Sequence, residues 1–232
     1  MQKPQGNSFK GTAGIAGVIT ILMGIVLTGV FPVSSPEMPK GFFTPIIAFE
    51  FIETKAEVKK LLAWDNSSQR ADLIEAMRLG TTLDYVFMSA YSLFLGLFSW
   101  ACYKKSPKRR YLVGVVIAPI IWVADGVENL QLLNIMTNLL AEESISYQLE
   151  LLSLFTWIKW GGIAVTFSLL VPFLWKSGSL SRGISFIAVL SVFSAIIAFV
   201  ERSIFNEALS LSVVLVFVGL TIFCFTNSQT DT

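Results

Sequence analysis

Apolar residues gather in six long runs, at 11–31, 83–103, 111–133, 151–175, 183–200 and 209–225, with polar stretches between them. Each run approaches the ~20 residues that an α-helix rising 1.5 Å per residue needs to cross a ~30 Å hydrocarbon layer. The pattern predicts an all-α fold: a polytopic membrane bundle of six transmembrane helices, forming one integral membrane domain over 1–232. The first run exceeds the ~7–15 apolar residues of a secretory signal core, and no small-residue cleavage pattern follows it, so it reads as a retained span.

Between the first two spans the periodicity changes. Over 46–64, Ile47, Phe51, Val58 and Leu62 fall along one stripe and Glu50, Glu53 and Glu57 along another, which predicts an amphipathic helix on the membrane surface or over the bundle. Ser67 or Ser68 can cap a further helix running through Arg70, Asp72 and Glu75 into the second span, so the helical segment covers 46–79. Pro32, Pro36, Pro39 and Pro45 keep the preceding stretch extended. In the first span, Ala16, Thr20, Gly24 and Thr28 recur every four residues. Such a small-residue face admits a close helix, from the same chain or from a second copy in a homo-oligomer.

Composition narrows the function. Of 232 residues, 54% are hydrophobic and 14% charged, against ~25% charged in an ordinary soluble domain, which excludes a soluble enzyme. Histidine is absent, removing the commonest zinc ligand and the usual base near neutral pH. Cys102 and Cys224 have no ligand-type spacing. No metal, cofactor or nucleic-acid partner is expected, and membrane lipids are the expected surroundings.

Lysine and arginine set the orientation, because cytoplasmic loops retain them. Lys104, Lys105, Lys108, Arg109 and Arg110 follow the second span, and Lys176 and Arg182 follow the fourth. Placing these in the cytoplasm of a plasma or inner membrane also puts both termini there, with Lys3 and Lys10 against the single acid Asp231. The opposite side carries Glu142, Glu143 and Glu150, a Glu201–Arg202 pair that reads as interfacial, and Glu207.

Asp84, Asp125, Glu128 and Lys159 stand inside the apolar runs. An ionisable group at a helix centre costs ~2.5–3.5 kcal/mol on the insertion scale, so these should face the bundle interior or water. Trp122, Asp125, Glu128 and Asn129 have the i, i+3, i+4 spacing of one helix face, and Asp84 continues through Met88 to Tyr91. Counted along their helices, all four charges converge on the exported half of the membrane. Three carboxylates against one ammonium leave an excess that protons or a cation must balance. Glu50 and Glu53 could cover this region from the 46–64 helix, or simply be solvated. The plain structural alternative is that Lys159 pairs with one acid, Asp84 sits among headgroups and Asn129 satisfies the remainder.

Three functions fit. The preferred one is a small membrane protein with an outward-facing acidic pocket that binds or transports a proton, a cation or a cationic small solute. The second is a non-catalytic scaffold or assembly subunit. The third is an intramembrane enzyme acting on a lipid headgroup through carboxylates, disfavoured because no D-x-x-D, E-E-x-x-x-R or serine-nucleophile pattern occurs. The candidate ligand residues are Asp84, Asp125, Glu128, Asn129, Lys159, Trp122, Tyr91, Glu50 and Glu53.

Overall fold

The structure is a computed structural model that describes residues 9–226; Lys3 and Asp231, invoked above for orientation, lie outside them. Every regular element among the described residues is helical. A π-helical turn at Phe9–Ala13 leads into α1 (Gly14–Val30), followed by α2 (Pro45–Glu50), α3 (Lys55–Leu61), α4 (Ser67–Lys105), α5 (Arg109–Leu140), α6 (Ser146–Leu174), α7 (Ser179–Val200) and α8 (Ile204–Thr226). Among the described residues six helices are long and apolar enough to cross a membrane: α1 with its preceding turn, and α4 to α8.

These six stand in chain order, each packed antiparallel on the next, and α8 returns to α1, closing a ring. Lys104, Lys105, Lys108, Arg109, Arg110, Lys176 and Arg182 lie at one end of it. The other end is covered by α2 and α3, with α2 packed on α5, α6 and α8. The helices are arranged for lipid rather than for water. On α7, Phe186, Phe193 and Phe199 point outward while Ser181, Ser185, Ala188, Ser191, Ala195 and Ala198 are buried. Lipid tails are as apolar as leucine, so helices in a bilayer associate by close packing of small faces. The inward hydroxyls bond their own backbone: Ser185 donates to the Ser181 carbonyl (2.9 Å) and Ser191 to that of Ile187 (3.1 Å).

The half of the ring nearer the basic end is filled by aromatic rings. Phe94, Phe98, Phe167 and Phe223 are buried there, and the Phe217 ring lies 6.1 Å from Phe94 and 5.9 Å from Phe167. Small residues line α1 at this level. Ala16 and Thr20 are buried within the chain, whereas Gly24 and Thr28, further along the same stripe, border the cavity described below.

The helical expectation for 46–64 is met as two short helices, not one. Helix α2 ends at Phe51 (φ −102°, ψ 17°), and Thr54 starts α3 afresh with a capping box: the Glu57 N–H donates to Thr54 Oγ1 at 3.2 Å and the Thr54 N–H donates to Glu57 Oε2 at 3.1 Å. Ile47, Phe51, Val58 and Leu62, the expected apolar stripe, are all buried, so the pair folds over the bundle. Asn66, rather than Ser67 or Ser68, caps α4, accepting the Gln69 N–H at 3.2 Å. From there α4 runs for 39 residues without a break, about 58 Å at 1.5 Å per residue.

Two glycines set close approaches that the ring needs. Gly41 has φ +88°, and a Cβ there would lie 3.0 Å from the backbone of Ser203 and Ile204, which fixes the 31–44 segment against the start of α8. Gly162 lets α6 meet α5, since its Cβ would lie 2.7 Å from Ile121 Cγ1; at Gly161 a Cβ would meet nothing within 4 Å. Gly162→Ala is therefore expected to cost about 1–3 kcal/mol through overpacking, and Gly161→Ala to leave stability unchanged or slightly raised. Reversible unfolding of the two variants in lipid bicelles measures the difference; equal stabilities would contradict this packing.

Candidate functional site

Lys159 lies buried midway along α6, and its Nζ is shared by three carboxylates: 2.7 Å from Glu128 Oε1, 3.0 Å from Glu50 Oε2 and 3.5 Å from Asp125 Oδ1. Asp125 and Glu128 come from successive turns of one α5 face, as their spacing of three dictates. Glu50 arrives from outside the ring. Pro45 occupies the first turn of α2, where its missing N–H costs nothing, and the six-residue helix ends with Glu50 buried against α6. There Trp160 Nε1 donates to Glu50 Oε2 at 2.9 Å and Thr156 Oγ1 donates to the Glu50 carbonyl at 3.2 Å.

On the α4 side, the Tyr91 hydroxyl donates to Asp125 Oδ2, and Asn129 Nδ2 donates to Asp84 Oδ2 at 2.7 Å. A continuous polar chain thus links α4, α5, α6 and α2 through the middle of an apolar bundle. Two buried oxygens in it, Asp125 Oδ1 and Glu128 Oε2, receive no hydrogen bond. With Glu50 included, four carboxylates face one ammonium.

Beside this chain is a cavity of about 390 Å³, within the ~300–1,000 Å³ of small-molecule sites. Asp84, Asp125, Glu50, Asn129, Tyr91 and Lys159 border it on one side, with Trp160. Its other walls are mainly apolar, including Phe31, Ile46, Phe87, Ile163, Val213 and Phe217, with the hydroxyl residues Thr28, Thr44 and Ser210 among them. Glu128 stands behind Lys159, away from the cavity surface. Among the described residues no three His, Cys, Asp or Glu side chains are arranged to hold a metal ion.

Of the nine residues singled out from the sequence, Glu50, Asp84, Tyr91, Asp125, Glu128, Asn129 and Lys159 meet here. Trp122 and Glu53 do not. Trp122 sits on the flank of the buried α5 arc, 45% exposed, where its Nε1 donates to Ser89 Oγ at 2.9 Å. Glu53 falls in the break between α2 and α3, loses the helical phase of Glu50, and pairs with Arg202 at 3.2 Å. Trp160 was the participant that spacing did not single out; its only advance signal was adjacency to a charge in a span.

Two contacts hold the cap in place. Arg202, read from the sequence as the partner of Glu201, instead donates to the Phe51 carbonyl (2.9 Å) and to Glu57 Oε1 (2.7 Å). Glu207 is buried at the start of α8 and accepts the N–H groups of Phe43 (3.0 Å) and Thr44 (2.8 Å) and the Thr44 hydroxyl (2.7 Å). Partial burial of Glu57 disfavours its charge, but the Arg202 guanidinium and the N–H groups of Glu53 and Thr54 outweigh this and hold its carboxyl below the usual carboxylate range.

Comparison with protein-family models, with characterised proteins and with solved structures finds no match to this chain.

Two consequences of this wiring are measurable. Lys159→Met strands three carboxylates and is expected to cost about 3–5 kcal/mol, as removal of one partner of a buried pair does; adding Glu128→Gln should recover part of that loss in bicelle unfolding. Because the folded-state pKa of Glu57 is depressed, its contribution is present above the unfolded value of 4.5 and is lost as pH falls through the folded one. Solvent screening limits it to about 1 kcal/mol. The stability gap between the native chain and Glu57→Gln should therefore shrink between pH 6 and pH 3; a gap constant over that range would show that the Glu57–Arg202 contact does not hold the cap.

Proposed function

We propose that this protein binds or carries a cation or a cationic small solute within the membrane, at the cavity bordered by Asp84 and Asp125. The observation that carries this reading is the charge balance beside the cavity: three carboxylates share the Lys159 ammonium and a fourth, Asp84, borders the cavity with two of them in a low-dielectric setting. Such an excess is compensated by protons held on the carboxyls or by a bound cation, so cation binding and proton release are coupled. Lys159 offers nothing to an anion, since three carboxylates already occupy it.

A carrier or receptor suits the site better than a channel. The aromatic packing around Phe94, Phe98, Phe167 and Phe217 fills the bundle on the basic side of the cavity, so the cavity has one accessible half. The positive-inside rule assigns the end bearing Lys104–Arg110 and Lys176 to the cytoplasm of a plasma or inner membrane, which turns the cavity outward.

Titration of primary ammonium ions of several chain lengths, each against the matching neutral alcohol, into the full chain in nanodiscs tests this. At least one ammonium should bind about 10- to 100-fold more tightly than its alcohol, the worth of a hydrogen bond to a charged group. It should release protons to the buffer, and it should lose that preference in Asp84→Asn/Asp125→Asn. Equal binding of ammonium and alcohol throughout the panel would overturn the proposal.

A further inference from the structure

Resting on the cation-site reading above, we propose that the ligand is a lipophilic amine, an apolar body ending in an ammonium group, and that it reaches the cavity sideways from the membrane between α1 and α8. The first support is where these helices touch. Near the basic end they are in close contact: a Cβ on Gly17 would meet Thr221 Oγ1 and the Phe94 ring. Towards the capped end Gly24 and Thr28 on α1 and Ser210, Val213 and Val214 on α8 line the cavity, which we take to reach between the two helices as a gap.

Depth makes the gap a membrane opening. Val214 stands ten residues into α8, about 15 Å along it at 1.5 Å per residue. It is 53% exposed while also bordering the cavity. Gly24 stands six residues before the end of α1, about 9 Å. A route through Val214 and Gly24 therefore opens below the helix ends, at the level of lipid chains. At the capped end α2 covers the ring, held by Glu207 and Arg202, although Val33 and Phe43 of the 31–44 segment also border the cavity and are exposed.

The lining selects the chemistry. Phe31, Ile46, Phe87 and Phe217 offer a hydrophilic solute no partners along most of the wall, which suits an apolar body. The polar side offers carboxylates: Asp84, and Asp125, which is 97% buried by its 3% exposure, has an Oδ1 without a hydrogen bond and borders the cavity. The Tyr91 and Trp160 rings beside them favour a cation further. A carboxylate-headed amphiphile of the same shape would meet three carboxyl groups, Glu50, Asp84 and Asp125, beside a Lys159 already held by carboxylates.

The test is photolabelling of the full chain in phosphatidylcholine vesicles with an octylamine carrying a diazirine in its chain. Labels should concentrate on Phe87, Val213 and Phe217. Excess octylamine should suppress them at about tenfold lower membrane content than octanol, the low end of the gain from a charged hydrogen bond. Ser210→Trp, which narrows the gap, should slow labelling of Phe217, and Ser210→Ala should not. If ammonium is preferred to alcohol but butylamine protects as well as octylamine, and Ser210→Trp changes nothing, the cation site stands and the lateral lipophilic route is wrong. If octanol protects as well as octylamine and labels spread equally to the lipid-facing Phe186 and Phe193, both fall.

Discussion

One buried ammonium group organises the upper half of this molecule. A carboxylate or an ammonium alone in hydrocarbon is costly, and a pair is tolerated only when geometry and further hydrogen bonds offset the loss of water. Lys159 meets that condition by drawing in acids from two directions, Asp125 and Glu128 from the neighbouring span and Glu50 from the cap. The requirement that Lys159 be satisfied is what brings α2 down onto the ring. Once Glu50 is there, Trp160 and Thr156 complete its hydrogen bonds, and the short helix acquires a defined place that its own six residues could not secure, since isolated helices so short are unstable.

The same demand explains why the cavity is polar on one side. Asp125 uses one oxygen for Tyr91 and leaves the other facing Lys159 at 3.5 Å, too far for a hydrogen bond. Asp84 is steadied by Asn129 alone in this set. Two carboxylate oxygens of the network, Asp125 Oδ1 and Glu128 Oε2, are left without a hydrogen bond, and Asp84 and Asp125 border the cavity. A scaffold whose polar groups serve only to fix helix register has no need of an acid-lined cavity beside them; the cation site proposed above does.

The spans were legible because crossing hydrocarbon imposes a length and an apolarity on each helix independently of its neighbours. The convergence of Asp84, Asp125, Glu128 and Lys159 was legible for a related reason: each must avoid lipid, and counting residues gives their depth. What a helical wheel does not contain is the identity of the surface opposite. Glu50 lay on a polar stripe, and a polar stripe can face water or another polar cluster with the same periodicity. Trp122 lay on the edge of the correct face, and an edge residue goes to whichever neighbour is closer, here Ser89 on α4. Glu207 and Arg202 resembled interfacial residues because their partners, Thr44 and Glu57, are more than 140 positions away in the chain. The break at Phe51–Thr54 was hidden because the apolar stripe of α2 resumes in α3 at nearly the same phase.

Why the ring is loosest between α1 and α8 follows from side-chain volume. Helix α1 has a small face, Gly14, Ala16, Gly17 and Thr20 nearer the basic end and Gly24 and Thr28 beyond. Near the basic end large rings from other helices, such as Phe94, move into the space that small residues leave, and the two helices close on each other. Further along no comparable plug is supplied: α8 contributes Ser210, Val213 and Val214, and the Phe87 ring reaches Gly24 only at ordinary contact distance, 3.6 Å from where its Cβ would be. Close packing is the main force joining helices in lipid, so an interface with small residues on α1 and no large ring between it and α8 is the weakest seam of the ring. On the lateral route proposed above, the smallness of this seam is what keeps the cavity in reach of the bilayer, and a single large side chain at Gly24 or Ser210 would close it without touching any charged group.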